Sequence, residues 1–233
     1  MAYSFDWNLV LHGKYGQWIL EGTLKTLHIS AVAILFSVLL GTLIAVFRLS
    51  RVRVLEWIAL AFTEFFRNTP LLVQIFFWYF GSAAVLPDFV NQWLYNHDFE
   101  FAAGVIALTV YTAAFIAEEI RSGIFSIPKT QLEASRACGL SFLQAMRYVI
   151  LPQAFRIIVP PLISQFLNLI KNSSLCMTIG VMELTYMTRQ IESYTFHGFE
   201  AFTVATLIYL VISLVVSLVI TQYNRLFLRQ IRY

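Results

Sequence analysis

Lys171 is the only charged residue in an otherwise uncharged, mostly apolar stretch from Ile157 to Met182, and Asn172, Ser173 and Ser174 follow it directly. A cation at bilayer depth costs about 2.5–3.5 kcal/mol on insertion scales. It must therefore face a polar cavity or a partner. If it lines a path, Lys171, Asn172 and Ser173 supply the hydrogen-bonding groups that a charged solute needs there. The alternatives are a lysine that ties helices together through a carbonyl or carboxylate, and one that snorkels to the interface. Arg67 poses the same question beside Pro70: it either lines a path or pairs with Glu64, one turn earlier. Glu118 and Arg121 are three apart, which favours a structural ion pair.

Other chemistry is hard to find. The histidines stand apart at His12, His28, His97 and His197, with no metal-ligand or catalytic spacing, and read as satisfied or solvated side chains. Cys138 and Cys176 lack metal-ligand spacing and read as small packing residues. There is no nucleophile–base pair and no carboxylate dyad, so a membrane enzyme has no catalytic constellation to use. The chain has no G-x-x-x-x-G-K-[ST] phosphate loop. It is therefore expected to bind no cofactor itself, and any ATP and Mg would sit on a partner.

The elements that must hold these residues are membrane helices. Of 233 residues, 59% are hydrophobic and 12% are charged, half the charge of an ordinary soluble domain. Apolar stretches run over Thr26–Phe47, Leu71–Pro87, Phe101–Ala117, Ile157–Met182 and Ala201–Asn224. Spanning takes about 20 residues, so an all-α integral membrane protein with about five spans is expected. Val54 to Leu86 is too long for one span, and Arg67-Asn68-Thr69-Pro70 should break it, because proline removes a donor and disfavours helix before it. The segments 48–56, 118–156 and 225–233 hold 11 Lys/Arg and 4 Asp/Glu; the segments 1–25, 87–100 and 183–200 hold 3 and 8. The positive-inside rule puts the first set in the cytoplasm, the N-terminus outside and the C-terminus inside. Outside, Trp93, Tyr95, Tyr186 and Tyr194 would anchor the interface. The small residues Ser37, Gly41 and Ala45, four apart, predict close helix packing within the chain or against a second copy. The start has no basic patch and short apolar run of a cleavable signal peptide.

The longest polar connection, Glu118 to Arg156, carries dense local signals. Thr130-Gln131-Leu132-Glu133 reads as a capping box, Gly139 as a helix stop and Ser141-Phe142-Leu143-Gln144 as a second box. Pro152, Pro160 and Pro161 punctuate the return to the membrane. The expectation is a short helix, a glycine turn and a second helix lying under the spans. Such order suits a docking element; an amphipathic helix resting on lipid is the plainer alternative.

Here the chain resembles a known family. Glu133-Ala134-Ser135, then Gly139, then Val149-Ile150-Leu151-Pro152 is similar to the EAA loop of bacterial ABC-importer permeases, with spacing preserved. Ser135 stands for the second alanine and Val149 for isoleucine. Ala117–Ile124, Ile127–Gln131, Leu151–Ala154, Lys171–Leu175 and Phe66–Gln74 resemble the polar-amino-acid subfamily, with Thr130 where that subfamily usually has glycine. The resemblance implies a single permease domain over residues 1–233, with a coupling loop at about 122–156, in the bacterial inner membrane. It implies that Glu133, Ala134, Ser135, Arg136 and Gly139 dock an ATPase subunit, and that Lys171, Asn172, Ser173 and Arg67 line the substrate path. The implied partners are an ATPase dimer, a second identical or related permease and a periplasmic solute-binding protein, with no nucleic acid. The implied substrate is a polar amino acid, glutamate or aspartate by the look of the Phe66–Gln74 and Lys171–Ser173 runs, or else glutamine, arginine or histidine. An ion-coupled secondary transporter is the rival class, but it predicts inverted repeats that this chain does not show.

Overall fold

The computed structural model describes residues 4–50, 52–96 and 98–227, and among them it contains helices and no strand. The order is α1 (Trp7–Leu11), α2 (Gly13–Leu49), α3 (Arg53–Arg67), α4 (Leu71–Val85), α5 (Asp88–Tyr95), α6 (Phe99–Phe125), α7 (Lys129–Ala137), α8 (Phe142–Ala145), α9 (Leu151–Asn172), α10 (Leu184–Thr195) and α11 (Gly198–Phe227). A π-helical turn, Met146–Ile150, joins α8 to α9, and a 3₁₀ segment, Ser173–Ile179, continues α9.

Four of these helical runs are long and apolar enough to cross a membrane: Gly13–Leu49, Phe99–Phe125, Phe142–Ile179 and Gly198–Leu218. The fifth expected span is shorter. Helix α4 has 15 residues, about 22 Å at 1.5 Å per residue, against a hydrocarbon core near 30 Å. The predicted break is present, with α3 ending at Arg67 and α4 starting after Pro70. Helix α2, by contrast, starts well before Thr26 and runs 37 residues, so much of the segment 1–25 is the same helix carried beyond the apolar stretch.

The centre is built where α2, α4, α6 and α9 meet. Ile29, Ala33, Ile75, Ala107, Leu108 and Leu169 pack there with little or no exposed surface. The small-residue stripe of α2 serves this packing within the chain. Ser37 donates to the Thr109 carbonyl at 3.3 Å, and a Cβ on Gly41 would come within 2.7 Å of Ile116. Cys176 is fully buried in the same core, as expected, but Cys138 is exposed at the end of α7. The packing reading therefore holds for Cys176 alone; Cys138 caps α7 at the surface.

The loop's second helix differs from expectation. The second helix does not lie separately under the spans: Phe142 to Ile179 is one helical run. Its prolines are absorbed rather than terminating it. In the π turn before Pro152, the Leu151 amide donates to the Met146 carbonyl, five residues back. That wider turn relieves the crowding a proline ring makes against the preceding turn. Pro160 and Pro161 lie inside α9.

Candidate functional site

Helix α7 is bounded at both ends by well-defined backbone turns. Its C-terminus closes in a Schellman turn: the Leu140 amide donates to the Ser135 carbonyl at 3.2 Å and the Gly139 amide to the Arg136 carbonyl at 3.0 Å. Gly139 has φ +87, the left-handed conformation this turn requires. The next helix opens with the predicted capping box, with Ser141 Oγ accepting from the Gln144 amide at 3.3 Å and Gln144 Oε1 from the Ser141 amide at 2.8 Å. The first predicted box is absent. Helix α7 starts at Lys129 with Pro128 as its cap and no side-chain cap bond, so Thr130 is already inside the helix. Pro128, at φ −57, enters the helix too early for Thr130 to cap it.

This framing sorts the loop residues. Glu133, Ala134, Arg136 and Gly139 are exposed, whereas Ser135 is 7% exposed and donates to the Leu132 carbonyl at 2.8 Å. Beneath α7, Ile127, Ile150, Ala154 and Ile158 form a buried apolar seat. A cleft of about 370 Å³, walled by Leu49, Phe125, Leu132, Phe142 and Met146 with Lys129 and Glu133 at its edge, opens beside the helix. The surface thus combines exposed charge, a small-residue approach and an apolar cleft. Helix α7 packs on the π turn, which in turn packs on α9.

At the other end of that helical run is Lys171. It is exposed and makes no ion pair among the described residues. Asn172 is half-buried, and Ser173 is fully buried with its hydroxyl on the Ile170 carbonyl at 2.8 Å. The sequence run Lys171-Asn172-Ser173 is therefore split by the helix into one outward cation and one inward hydroxyl. Arg67 is exposed and does not pair with Glu64. Asn68 takes that carboxylate at 3.0 Å, while the Arg67 guanidinium lies 5.5 Å from the Phe115 ring centroid on α6. The helix ends at Arg67, so the chain has already turned when Asn68 reaches back. Glu118 and Arg121 do form the predicted pair, with Nε to Oε2 at 2.9 Å. His197 meets Glu200 at 3.1 Å, and His28 packs on Phe101. His97 and the side chain of Trp93 lie outside the described residues.

The sequence reading missed a buried carboxylate. Glu183 has no exposed surface, yet it caps α10 by accepting from the Thr185 amide at 2.9 Å and the Tyr186 amide at 2.8 Å. It also accepts the Tyr209 hydroxyl at 2.8 Å, from α11. Thr26 of α2 completes the joint by accepting from the Leu184 amide at 3.1 Å. Burial pushes the carboxyl above its ordinary value, and these hydrogen bonds oppose that push. The available signal was an acidic residue three positions after Gly180 and directly before a polar helix, an N-cap pattern.

Comparison with known proteins follows the same lines. The family described as binding-protein-dependent transport system inner membrane component matches residues 37–232. The probable glutamine ABC transporter permease protein GlnM of Bacillus subtilis is 42% identical over 199 residues, covering 85% of this chain and 88% of that protein. The glutamate/aspartate import permease protein GltJ of Escherichia coli is 34% identical, covering 97% and 96%. A solved structure, described as the crystal structure of an amino acid ABC transporter with histidines, superposes with TM-score 0.85 at 32% identity, covering 96% of this chain and 99% of that one. With the family matched over residues 37–232 and a relative 34% identical across 97% of this sequence, the chain belongs to the inner-membrane permease components of binding-protein-dependent transport systems.

Proposed function

We propose that this permease imports polar amino acids, with glutamate or aspartate as substrate, and is driven by ATP hydrolysis in a separate subunit docked on α7. The observation that carries the reading is α7 itself. A nine-residue helix is set between Pro128 and a Schellman turn, presents Glu133 and Arg136 outward, and is joined through one turn to the helix that bears Lys171. A lipid-resting helix would need no such frame. Charge asymmetry supports the placement of this loop in the cytoplasm and the N-terminus in the periplasm. Five spans are half a pathway, so a second copy or a related chain completes it, and a periplasmic binding protein delivers the solute. Lys171 and Arg67 supply positive charge for a carboxylate.

Glutamine is the second substrate reading, favoured by the 42% identity to a probable glutamine permease. One experiment addresses both levels. The complex of this chain with its permease partner and ATPase is reconstituted with its binding protein, and uptake of labelled glutamate is followed with and without ATP. Unlabelled glutamate, aspartate, glutamine, arginine and histidine are then added as competitors. ATP-dependent uptake blocked most by glutamate and aspartate is expected. Uptake driven by a sodium or proton gradient without ATP would remove the importer reading, and strongest competition by glutamine would move the substrate.

A further inference from the structure

Helix α10 was not expected to carry chemistry, yet four of its polar residues share one face. Tyr186, Arg189, Gln190 and Ser193 lie at helical positions i, i+3, i+4 and i+7. With Met177 and Thr178 of the 3₁₀ segment they wall a cleft of about 300 Å³. The Arg189 guanidinium has no carboxylate partner among the described residues. The neighbouring Glu192 lies against Gly198 and does not line the cleft.

The hydrogen bonds inside the cleft leave donors and acceptors in separate places. Gln190 Nε2 donates to Tyr186 Oη at 3.1 Å, so the phenol O–H remains a donor and Gln190 Oε1 an acceptor. Thr178 donates to the Leu175 carbonyl at 2.7 Å and Ser193 to the Arg189 carbonyl at 3.0 Å, which leaves their oxygens as acceptors. A guanidinium and a phenol O–H suit a carboxylate; three neutral oxygens suit an ammonium. Together they match the head group of an amino acid. The cap that Glu183 places on the Tyr186 amide orients this face.

We propose that this cleft is an outer receiving subsite, where Arg189 and Tyr186 take the α-carboxylate of an incoming amino acid before it reaches Lys171. This rests on the reading of the chain as an amino-acid importer. Thr178 lies seven residues beyond Lys171 along the helical run, about 14 Å at the 3₁₀ rise of ~2.0 Å per residue. Thr178 shares its cleft with Arg189, so the cleft and Lys171 stand at different depths along the chain's last turns before α10. Because the α-carboxylate is what binds, the subsite serves any amino acid the complex carries, and it does not choose among side chains.

The test uses the full reconstituted complex with its binding protein, measuring labelled glutamate and glutamine moved per ATP hydrolysed. Arg189→Gln is expected to lower that ratio roughly tenfold for whichever amino acid is carried, the loss of one charge-assisted contact. Arg189→Lys retains most of it, and Tyr186→Phe lowers it a few-fold. An unchanged ratio in Arg189→Gln overturns the subsite, including the case in which uptake and hydrolysis fall together because the binding protein no longer docks. Failure of the unaltered complex to couple amino-acid uptake to ATP overturns the importer reading, and the subsite with it.

Discussion

Glu183, the cap of α10, and Tyr209 on α11 are joined by a 2.8 Å hydrogen bond that neither helix could be expected to make from its own sequence. Because the carboxylate is fully buried, the hydroxyl satisfies a group that water cannot reach. Tyr209→Phe should lower stability by about 1.5 kcal/mol, the scale of a hydrogen bond to a charged group, read as a lower thermal midpoint of the detergent-purified complex. The pH dependence has a definite sign. Burial raises the Glu183 carboxyl, so the folded protein keeps that proton to higher pH than the unfolded chain. Its contribution is complete below the ordinary value of 4.5 and is lost as pH rises through the raised folded value. The midpoint should fall across that window, and Glu183→Gln should flatten the fall.

Gly41→Ala tests the contact of α2 with α6. The added methyl would lie 2.7 Å from Ile116 Cγ2 and 2.9 Å from the Ala113 carbonyl oxygen, and the latter is backbone. Overpacking of this kind costs roughly 1–3 kcal/mol. A lower thermal midpoint and poorer recovery in detergent are expected, and an unchanged midpoint would mean that the two helices separate freely.

Glu133 and Ser135 should respond oppositely although they are two residues apart. Glu133 is exposed, so Glu133→Ala should weaken co-purification of the ATPase subunit while shifting stability by less than about 0.5 kcal/mol. Ser135 is buried, so Ser135→Leu should lower the thermal midpoint first. Retained ATPase binding in Glu133→Ala would move the docking contact elsewhere on α7.

Gly139→Ala isolates backbone conformation from packing. Nothing lies within 4 Å of the added methyl, so the cost is that of a left-handed φ of +87, about 1–2 kcal/mol. The loss should show as reduced ATP-coupled uptake. Gly139→Asn, which tolerates this region better, should retain more of it.

Lys171→Ala should abolish most uptake without changing assembly, because the side chain is exposed and unpaired among the described residues. Uptake equal to the unaltered protein would return Lys171 to a structural role. Its exposure predicts no loss of thermal stability beyond about 0.5 kcal/mol.

Much of this protein was legible from local patterns. The apolar runs, the break before Pro70, the Glu118–Arg121 pair, the turn at Gly139 and the Ser141–Gln144 box each depend on residues within a few positions of one another. Chemistry at that range is written in the order of the chain. The EAA spacing is local too, which is why the family could be named from residues 133–152. What the tertiary structure decided is how separated segments meet. It seated the Gly41 stripe on α6, turned Ser135 inward and left Cys138 outside. It sent Arg67 to Phe115 instead of Glu64, carried one helix through three prolines, and buried Glu183 between α2 and α11. Burial and pairing across more than twenty residues depend on which surfaces approach, and periodicity does not encode that. Lys171 shows the division plainly: the sequence marked a cation that needs a reason, and the fold left it exposed without a carboxylate partner among the described residues.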